Sequence, residues 1–326
     1  MRFIETWTSA TLVSTRDLAP GIREFLIRPD QYDGVAYPVG SHINISMTID
    51  GLPETRSYSL VGEASPHGFR IAVRRADDSR GGSRYMWQLK PGARLDITQP
   101  ASLLVVDWSR DSYCLIAGGI GITPILGAAQ ALVRRAADVK LHYAVRSRAE
   151  AAYLDDLAAL LGDRLVVHAG DEGKRLDLDA LFASLPKGAL ALFCGPMRML
   201  DAARHAWVGA GHALPDLRYE TFGSSGTLPT EAFRVRLKGS NIELEIPRER
   251  SMLDVLNASG FEVISDCKRG ECGLCAIDVV DVDGEIDHRD VFFSDHQKES
   301  NQKICACVSR ARGTITVDTL LRADAI

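Results

Sequence analysis

The sequence predicts a multidomain chain of three folded parts: an antiparallel β-barrel, an α/β part built on a parallel sheet, and a small β-grasp-like part at the C-terminus. Three observations carry this. Short alternating runs at 10–13, 22–28, 42–47, 55–60, 69–74 and 94–98, punctuated by turns such as Ala19-Pro20-Gly21 and Lys90-Pro91-Gly92, read as six strands. Six short strands close most simply as a barrel. From Tyr113 onward apolar strands alternate with helical patterns, the texture of a parallel sheet whose ligands sit at the strand C-termini. The stretch Gly223-Ser224-Ser225-Gly226-Thr227-Leu228-Pro229-Thr230 is small and polar, and reads as a linker. At 326 residues the chain exceeds one average domain, and the boundaries that follow are 1–105, 106–225 and 226–326.

Taken in order, the barrel strands are interrupted once, where Gly81-Gly82-Ser83 opens a helical stretch through Leu89 whose free N–H groups suit a phosphate. In the α/β part, Tyr113-Cys114-Leu115-Ile116-Ala117 is a continuous apolar strand and Gly118-Gly119-Ile120-Gly121-Ile122 turns the chain. Thr123 then reads as an N-cap and Pro124 as a first-turn proline of a helix to about Arg135. The next strand is 139–145, and Ser147-Arg148-Ala149-Glu150 has the pattern of a capping box for a helix ending at Gly162. Strands at 165–168, 190–194 and 217–219 and a helix at 196–208 complete this part. Beyond the linker, 233–237 and 242–246 flank a hairpin, Ser251 caps a helix to 258 closed by Gly260, a short helix follows Ser294, and 314–317 is a last strand.

Hydrophobic residues make up 46% and charged residues 25% of the chain, which supports buried cores rather than disorder. No run of eighteen apolar residues and no apolar leader is present, so a soluble, cytoplasmic protein that does not enter a membrane is expected. Residues 226–326 hold 13 basic and 18 acidic side chains, among them Asp278, Asp281, Asp283, Glu285, Asp287 and Asp290, so the acidic excess lies there. Such acids most simply form a solvated surface. The absence of a basic stripe argues against nucleic acid.

The most specific motif is Cys267-Lys-Arg-Gly-Glu-Cys272-Gly-Leu-Cys275, followed by Cys305-Ala-Cys307. Three cysteines spaced C-x4-C-x2-C with a distant fourth form the plant-type ferredoxin arrangement for a 2Fe-2S cluster. Zinc sites usually show paired C-x2-C knuckles, and here only Cys272 and Cys275 make one. A disulfide framework suits a short secreted chain. Gly270 and Gly273 fit a backbone that turns tightly around sulfide.

Arg56-Ser57-Tyr58-Ser59 offers a cation, an aromatic face and small hydroxyls on a strand, a weak signal alone. With Gly81, Gly82 and Ser83 downstream it gains weight as a phosphate site. Gly118 to Pro124 falls short of a full dinucleotide fingerprint. Together with Cys194-Gly195-Pro196, Tyr219-Glu220-Thr221-Phe222 and the cysteine loop, these motifs make the whole chain resemble the phthalate dioxygenase reductase family, which includes vanillate O-demethylase reductases.

The resemblance implies a ferredoxin-reductase-like arrangement: an FMN-binding barrel, an NAD-binding α/β domain and a C-terminal 2Fe-2S ferredoxin domain. It implies an NADH-dependent oxidoreductase of electron transport, the reductase of a Rieske-type oxygenase or O-demethylase. It places Arg56, Gly82 and Ser83, with Ser57 and Gly81 beside them, at the FMN phosphate, Tyr58 along the flavin, and Ser59 near its N5. Gly119, Gly121 and Thr123 would line the NADH pyrophosphate, Cys194, Gly195 and Pro196 the nicotinamide, and Phe222 the flavin ring. No side chain is expected to act as acid or base. Val280-Asp281-Val282-Asp283 looks like a two-residue lengthening of the ferredoxin hairpin. A haem monooxygenase as acceptor, or a redox sensor without turnover, are the alternatives.

Cys267, Cys272 and Cys275 are the first three expected ligands. For the fourth, 29 residues separate Cys275 from Cys305, the common plant-type gap. Cys307-Val308-Ser309-Arg310 matches the family's last cysteine motif instead, and Cys307 is the expected ligand. Residues two apart on a strand share a face, which would let both thiols point towards the cluster, and Cys305 is expected as a buried neighbour with no ligand role.

Overall fold

The computed structural model describes residues 6–32, 34, 36–76, 81–102, 104–222 and 228–319. The linker residues 223–227 lie outside this set. The chain forms two compact units, Met1–Glu220 and Thr221–Ile326.

The first unit opens with β1 (Trp7–Ala19), β2 (Ile22–Pro29), β3 (Ser41–Ile49), β4 (Leu52–Ser59) and β5 (Phe69–Arg74), then α1 (Gly82–Gln88), β6 (Arg94–Thr98) and the short β7 (Ala101–Ser102). The strands order as β4-β3-β6-β1-β2-β5. A bridge between Leu60 and Ile71 brings the two ends of that order together. Alternation does the sorting: in β3, Ile43, Ile45, Met47 and Ile49 all turn inward, where they meet Phe25, Ile27, Ile71 and Ile97. All six strands read from the sequence are present. Gly81, at φ 91°, starts α1 from a conformation that suits glycine. A β-carbon there would sit 2.4 Å from Ile49.

The same unit continues with β8 (Ser112–Gly118), α2 (Ile122–Arg134), β9 (Asp138–Val145), α3 (Leu154–Leu161), β10 (Leu165–Ala169), α4 (Leu178–Ala183), β11 (Leu190–Cys194), α5 (Met197–Gly209) and β12 (Leu217–Glu220). Its five parallel strands order as β10-β9-β8-β11-β12. β8 and β11 are buried on both faces, as central parallel strands must be when helices cover both sides. Three local expectations are corrected. Gly121, not Thr123, caps α2, and Thr123 lies inside the helix with its hydroxyl donating to the Ile120 carbonyl at 3.0 Å. Ser147 accepts only the Ala149 N–H, and caps a single short turn rather than a long helix. The helix starts at Leu154, because Tyr153 adopts a left-handed conformation (φ 59°) and donates its hydroxyl to Glu24 of β2 at 2.8 Å. α4, capped by Asp177, was not expected.

The second unit holds β13 (Phe233–Leu237), β14 (Glu243–Ile246), α6 (Met252–Ala258), β15 (Ala276–Asp287), α7 (Asp295–Ser300), β16 (Lys303–Cys305) and β17 (Arg310–Asp318). The mixed sheet orders as β14-β13-β17-β15-β16, with β13 and β17 parallel, a β-grasp arrangement. α6 carries the capping box Ser251/Asp254 and α7 the equivalent Ser294/Gln297. Val280–Asp283 lies within β15, where the register shifts between Val279 and Asp281 and leaves Val280 bulged and exposed. Asp287 and Asp290 depart from the solvated surface expected of most of these acids and lie in the core. Asp287 pairs with Arg289 at 2.7 Å, and Asp290 accepts the Phe293 N–H and the Ser309 hydroxyl, both at 3.0 Å. A buried carboxylate survives only with such partners. Asp281, Asp283 and Glu285 remain exposed.

Candidate functional site

In the barrel, β3 and β4 pair so that Tyr58 lies opposite Ile43 and Arg56 opposite Ile45. Arg56 donates to Glu54 at 2.7 Å and to the Thr55 carbonyl at 3.0 Å. Its stem lies against the start of α1: a β-carbon on Gly82 would come within 3.0 Å of the Arg56 Cγ and 3.3 Å of Nε. The fold thus brings Arg56 to Gly82, 26 positions further along the chain. The Ser83 hydroxyl accepts the Ala76 N–H at 3.2 Å, and Ser57 donates to Asn44 Oδ1 at 2.5 Å. Tyr58 is half-buried against the barrel core, and burial pushes its hydroxyl well above the usual tyrosine range. Ser59, buried, donates to Glu220 Oε1 at 3.0 Å.

In the parallel sheet, strand order reverses between β8 and β11, the place where α/β sheets bind ligands at their strand ends. There Gly118 to Thr123 and Cys194 to Pro196 are in direct contact. A β-carbon on Gly121 would lie 2.1 Å from the Cys194 carbonyl oxygen, one on Gly118 2.7 Å from the Pro196 ring, and one on Gly195 3.2 Å from the Gly118 Cα. Gly119 faces open space with φ +55°. Cys194 is fully buried. Two glycine segments that are far apart in sequence are therefore packed closely, backbone against backbone, at this strand end. Phe222 belongs to the second unit and is half-buried.

In the second unit the cysteine loop curls through Lys268 (φ 50°) and Gly270 (φ 76°), so successive N–H groups converge. Those of Arg269, Glu271 and Cys272 all reach the Cys267 sulfur at 3.4 Å. Burial pushes the Cys267 thiol up, and these N–H groups oppose it. Cys272 lies within hydrogen-bonding reach of Cys267, and Cys275 Sγ is 3.1 Å from Cys307 Sγ. Hydrogen bonds from Cys305 and then Cys307 hold Cys275 low, and the same contact raises both donors. Gly270 is closed in by Val308 and Asp290, and Gly273 by Phe292. All seven cysteines are free of disulfides.

Among the described residues no three or more His, Cys, Asp or Glu side chains converge as they would on a single metal ion. The thiols stand instead as the pairs Cys267/Cys272 and Cys275/Cys307, with Cys305 beside the second. Paired thiolates suit a dinuclear cluster, which takes two protein ligands on each iron. The strand ends at Cys305, and a turn in which the Ser309 N–H returns to the Cys305 carbonyl at 3.0 Å carries the chain on to Cys307. Strand alternation therefore does not govern the two thiols.

Sequence reasoning missed two carboxylates. Glu54 holds Arg56, and Glu220 holds Ser59. Glu220 carried a readable signal: it is an acid at the C-terminal end of a parallel strand, where ligands bind.

A barrel joined to a parallel nucleotide-type sheet, followed by a β-grasp unit with two thiol pairs, defines an iron–sulfur flavoprotein oxidoreductase that uses NAD(H). Comparison with known proteins agrees. Residues 9–104 match an oxidoreductase FAD-binding domain, 115–205 an oxidoreductase NAD-binding domain, and 235–312 a 2Fe-2S iron-sulfur cluster binding domain. The chain is 36% identical over 315 residues to a heme-dependent oxidative N-demethylase beta subunit of Ectopseudomonas mendocina, covering 95% of this chain and 98% of that one. It is 34% identical over 298 residues to a vanillate O-demethylase oxidoreductase of Pseudomonas sp., covering 87% and 91%. The solved structure of phthalate dioxygenase reductase superposes with a TM-score of 0.76 at 29% identity, covering 96% of this chain and 98% of that one. The chain belongs to the phthalate dioxygenase reductase-like family. No helix among the described residues is long and apolar enough to cross a membrane.

Proposed function

We propose that this chain is the reductase component of a multicomponent oxygenase or O-demethylase. Electrons would pass from NADH through FMN to a 2Fe-2S cluster, and on to a Rieske-type terminal oxygenase. The functional domains are taken as 1–105, 106–225 and 226–326. The observation that carries this reading is the two cysteine pairs in a β-grasp unit, borne on the same chain as a flavin barrel and a nucleotide sheet. Such a chain converts a hydride donor into a one-electron source. A bound flavin accepts electrons as a pair and releases them one at a time, which the cluster and an oxygenase require.

The protein's own part is binding and alignment. Arg56, held by Glu54 against the start of α1, would take the terminal phosphate together with the Gly82 and Ser83 amides, with Ser57 and Gly81 shaping the strand and helix start around them. Support for FMN rests on this pairing and on the family resemblance, in which a ferredoxin domain at the C-terminus goes with FMN. Tyr58 would flank the flavin, Ser59 would be presented to it by Glu220, and Phe222 would cover its ring. Gly119, Gly121 and Thr123 would receive the NADH pyrophosphate and Cys194, Gly195 and Pro196 the nicotinamide. Cys267, Cys272, Cys275 and Cys307 would hold the cluster. Exposed Asp281, Asp283 and Glu285 along β15 would steer encounter with a basic partner.

The test is an absorption spectrum before and after NADH with the released flavin identified, followed by reconstitution with candidate acceptors. FMN, cluster bleaching and coupled turnover with a Rieske-type oxygenase are expected. Released FAD would remove the FMN assignment. The name of the Ectopseudomonas mendocina relative favours a second reading, a haem acceptor, and turnover with that partner alone would select it.

A further inference from the structure

Resting on the assignment of Cys267 as a cluster ligand, we propose that Thr221 is a positioning residue that tunes the cluster's reduction potential. It does so by holding, through Glu271, the peptide N–H groups that point at the Cys267 sulfur.

Thr221 is almost fully buried and Glu271 largely so. The Glu271 carboxylate is held on both sides. Its Oε1 accepts the Thr221 N–H and the Thr221 hydroxyl, each at 3.1 Å, and its Oε2 lies 3.4 Å from the Arg269 guanidinium. The Thr221 hydroxyl has one proton to give. The Arg269 carbonyl, at 3.4 Å, is its weaker alternative. Arg269 and Glu271 are the residues whose N–H groups, with that of Cys272, reach Cys267.

The loop has three positive-φ positions, Lys268, Gly270 and Gly273, and the non-glycine among them, Lys268, carries a conformational cost. A loop so curled needs fastening, and Thr221 fastens it from outside the cysteine motif. Hydrogen bonds to cluster sulfurs are one of the levers that set iron–sulfur potentials. Each N–H stabilises the extra charge of the reduced state more than the oxidised one, so loosening them lowers the potential.

The test uses the intact protein carrying its cluster. Thr221→Val keeps the shape and the backbone N–H but removes the hydroxyl, without changing any charge. Cluster reduction is followed by EPR in a redox titration, with the flavin followed by absorbance. At a fixed potential the ratio of reduced to oxidised cluster is expected to fall about threefold or more, roughly 28 mV for a one-electron couple. Couplings from exchangeable protons near the reduced cluster weaken alongside it. Thr221→Ser returns both to the parental values, and the flavin potential does not move. Thr221→Ala, which cannot clash, replaces the valine variant if that variant fails to assemble. An unchanged cluster potential in the variant that lacks the hydroxyl, or an equal shift in the serine variant, overturns the inference. A parent protein with no cluster signal would instead overturn the functional reading beneath it, and the inference with it.

Discussion

Gly121 is where the proposed nucleotide site is most sensitive to a single carbon atom. A β-carbon there would lie 2.1 Å from the Cys194 carbonyl oxygen and 2.6 Å from its carbon, while real β-carbon contacts essentially never fall below 3.0 Å. Both neighbours are backbone and cannot rotate away, so Gly121→Ala must part the glycine turn from the end of β11 by about 1 Å. Overpacking of this kind costs about 1 to 3 kcal/mol, and a misplacement of ~1 Å can lower a rate ~100-fold when two reactants must be aligned. Gly188→Ala, before the start of β11 and outside the proposed site, is the control. It meets nothing within 4 Å but has φ +83°, so it costs about 1 to 2 kcal/mol in backbone conformation without displacing Cys194. Stopped-flow reduction of the bound flavin by NADH should therefore be slowed on the order of 100-fold in Gly121→Ala and far less in Gly188→Ala. The cluster spectrum should be intact in both. Parental flavin reduction in Gly121→Ala, or equal loss in the two variants, would refute this strand end as the nicotinamide site.

Other outcomes follow from the same geometry. Arg56→Ala removes a charge-assisted contact worth roughly 1.5 to 3 kcal/mol, so the flavin dissociation constant should rise about tenfold or more; a variant that purifies with full flavin would misplace the phosphate. Cys307→Ala should abolish the cluster spectrum while leaving flavin reduction by NADH, and Cys305→Ala should keep both, the reverse pattern identifying Cys305 as the ligand. Arg148, which follows β9, is engaged by Glu172 at 2.6 Å, and Glu172 is shared with Lys174 at 2.9 Å. Glu172→Gln should free Arg148 for a ribose phosphate and raise kcat/KM for NADPH relative to NADH several-fold, a ratio read from initial rates. His142, buried 3.1 Å from the ring of His168, is held down to about 4 by burial first and His168 second. The folded chain then refuses a proton that the unfolded chain takes below about 6.5. The stability from His142 is whole above that pH and lost as pH falls towards 4, with a slope of up to ~1.4 kcal/mol per pH unit. Urea midpoints for the parent and His142→Gln between pH 7 and 5 measure it.

What was legible in the sequence was what neighbouring residues decide among themselves. The cysteine spacing, the barrel strands and the Ser251 cap depend on residues within a turn or a strand of one another, and they stand where alternation and capping put them. The features that escaped are those set by distant partners. Ser59 and Glu220 are 161 residues apart, and Tyr153 and Glu24 are 129 apart. Nothing near Tyr153 announces a left-handed residue, because the contact that stabilises it lies on a barrel strand.

The acidic run from Asp278 to Asp290 shows why composition alone misleads. Most of the six acids spaced along this segment read as a solvated surface with no sign of which would not, and Asp287 and Asp290 are enclosed because Arg289, Ser309 and the Phe293 N–H are there to receive them. Asp281, Asp283 and Glu285 have no such enclosure and stay in water. The Cys305 and Cys307 question has the same origin. Strand periodicity places two residues on one face only while the strand lasts, and β16 ends at Cys305. What brings Cys307 to 3.1 Å from Cys275 is the turn beyond it, fastened by the Ala306 N–H on the Cys275 carbonyl at 3.0 Å. The second thiol pair is therefore built by a turn closing on the first cysteine motif, and no period in the sequence describes that closure.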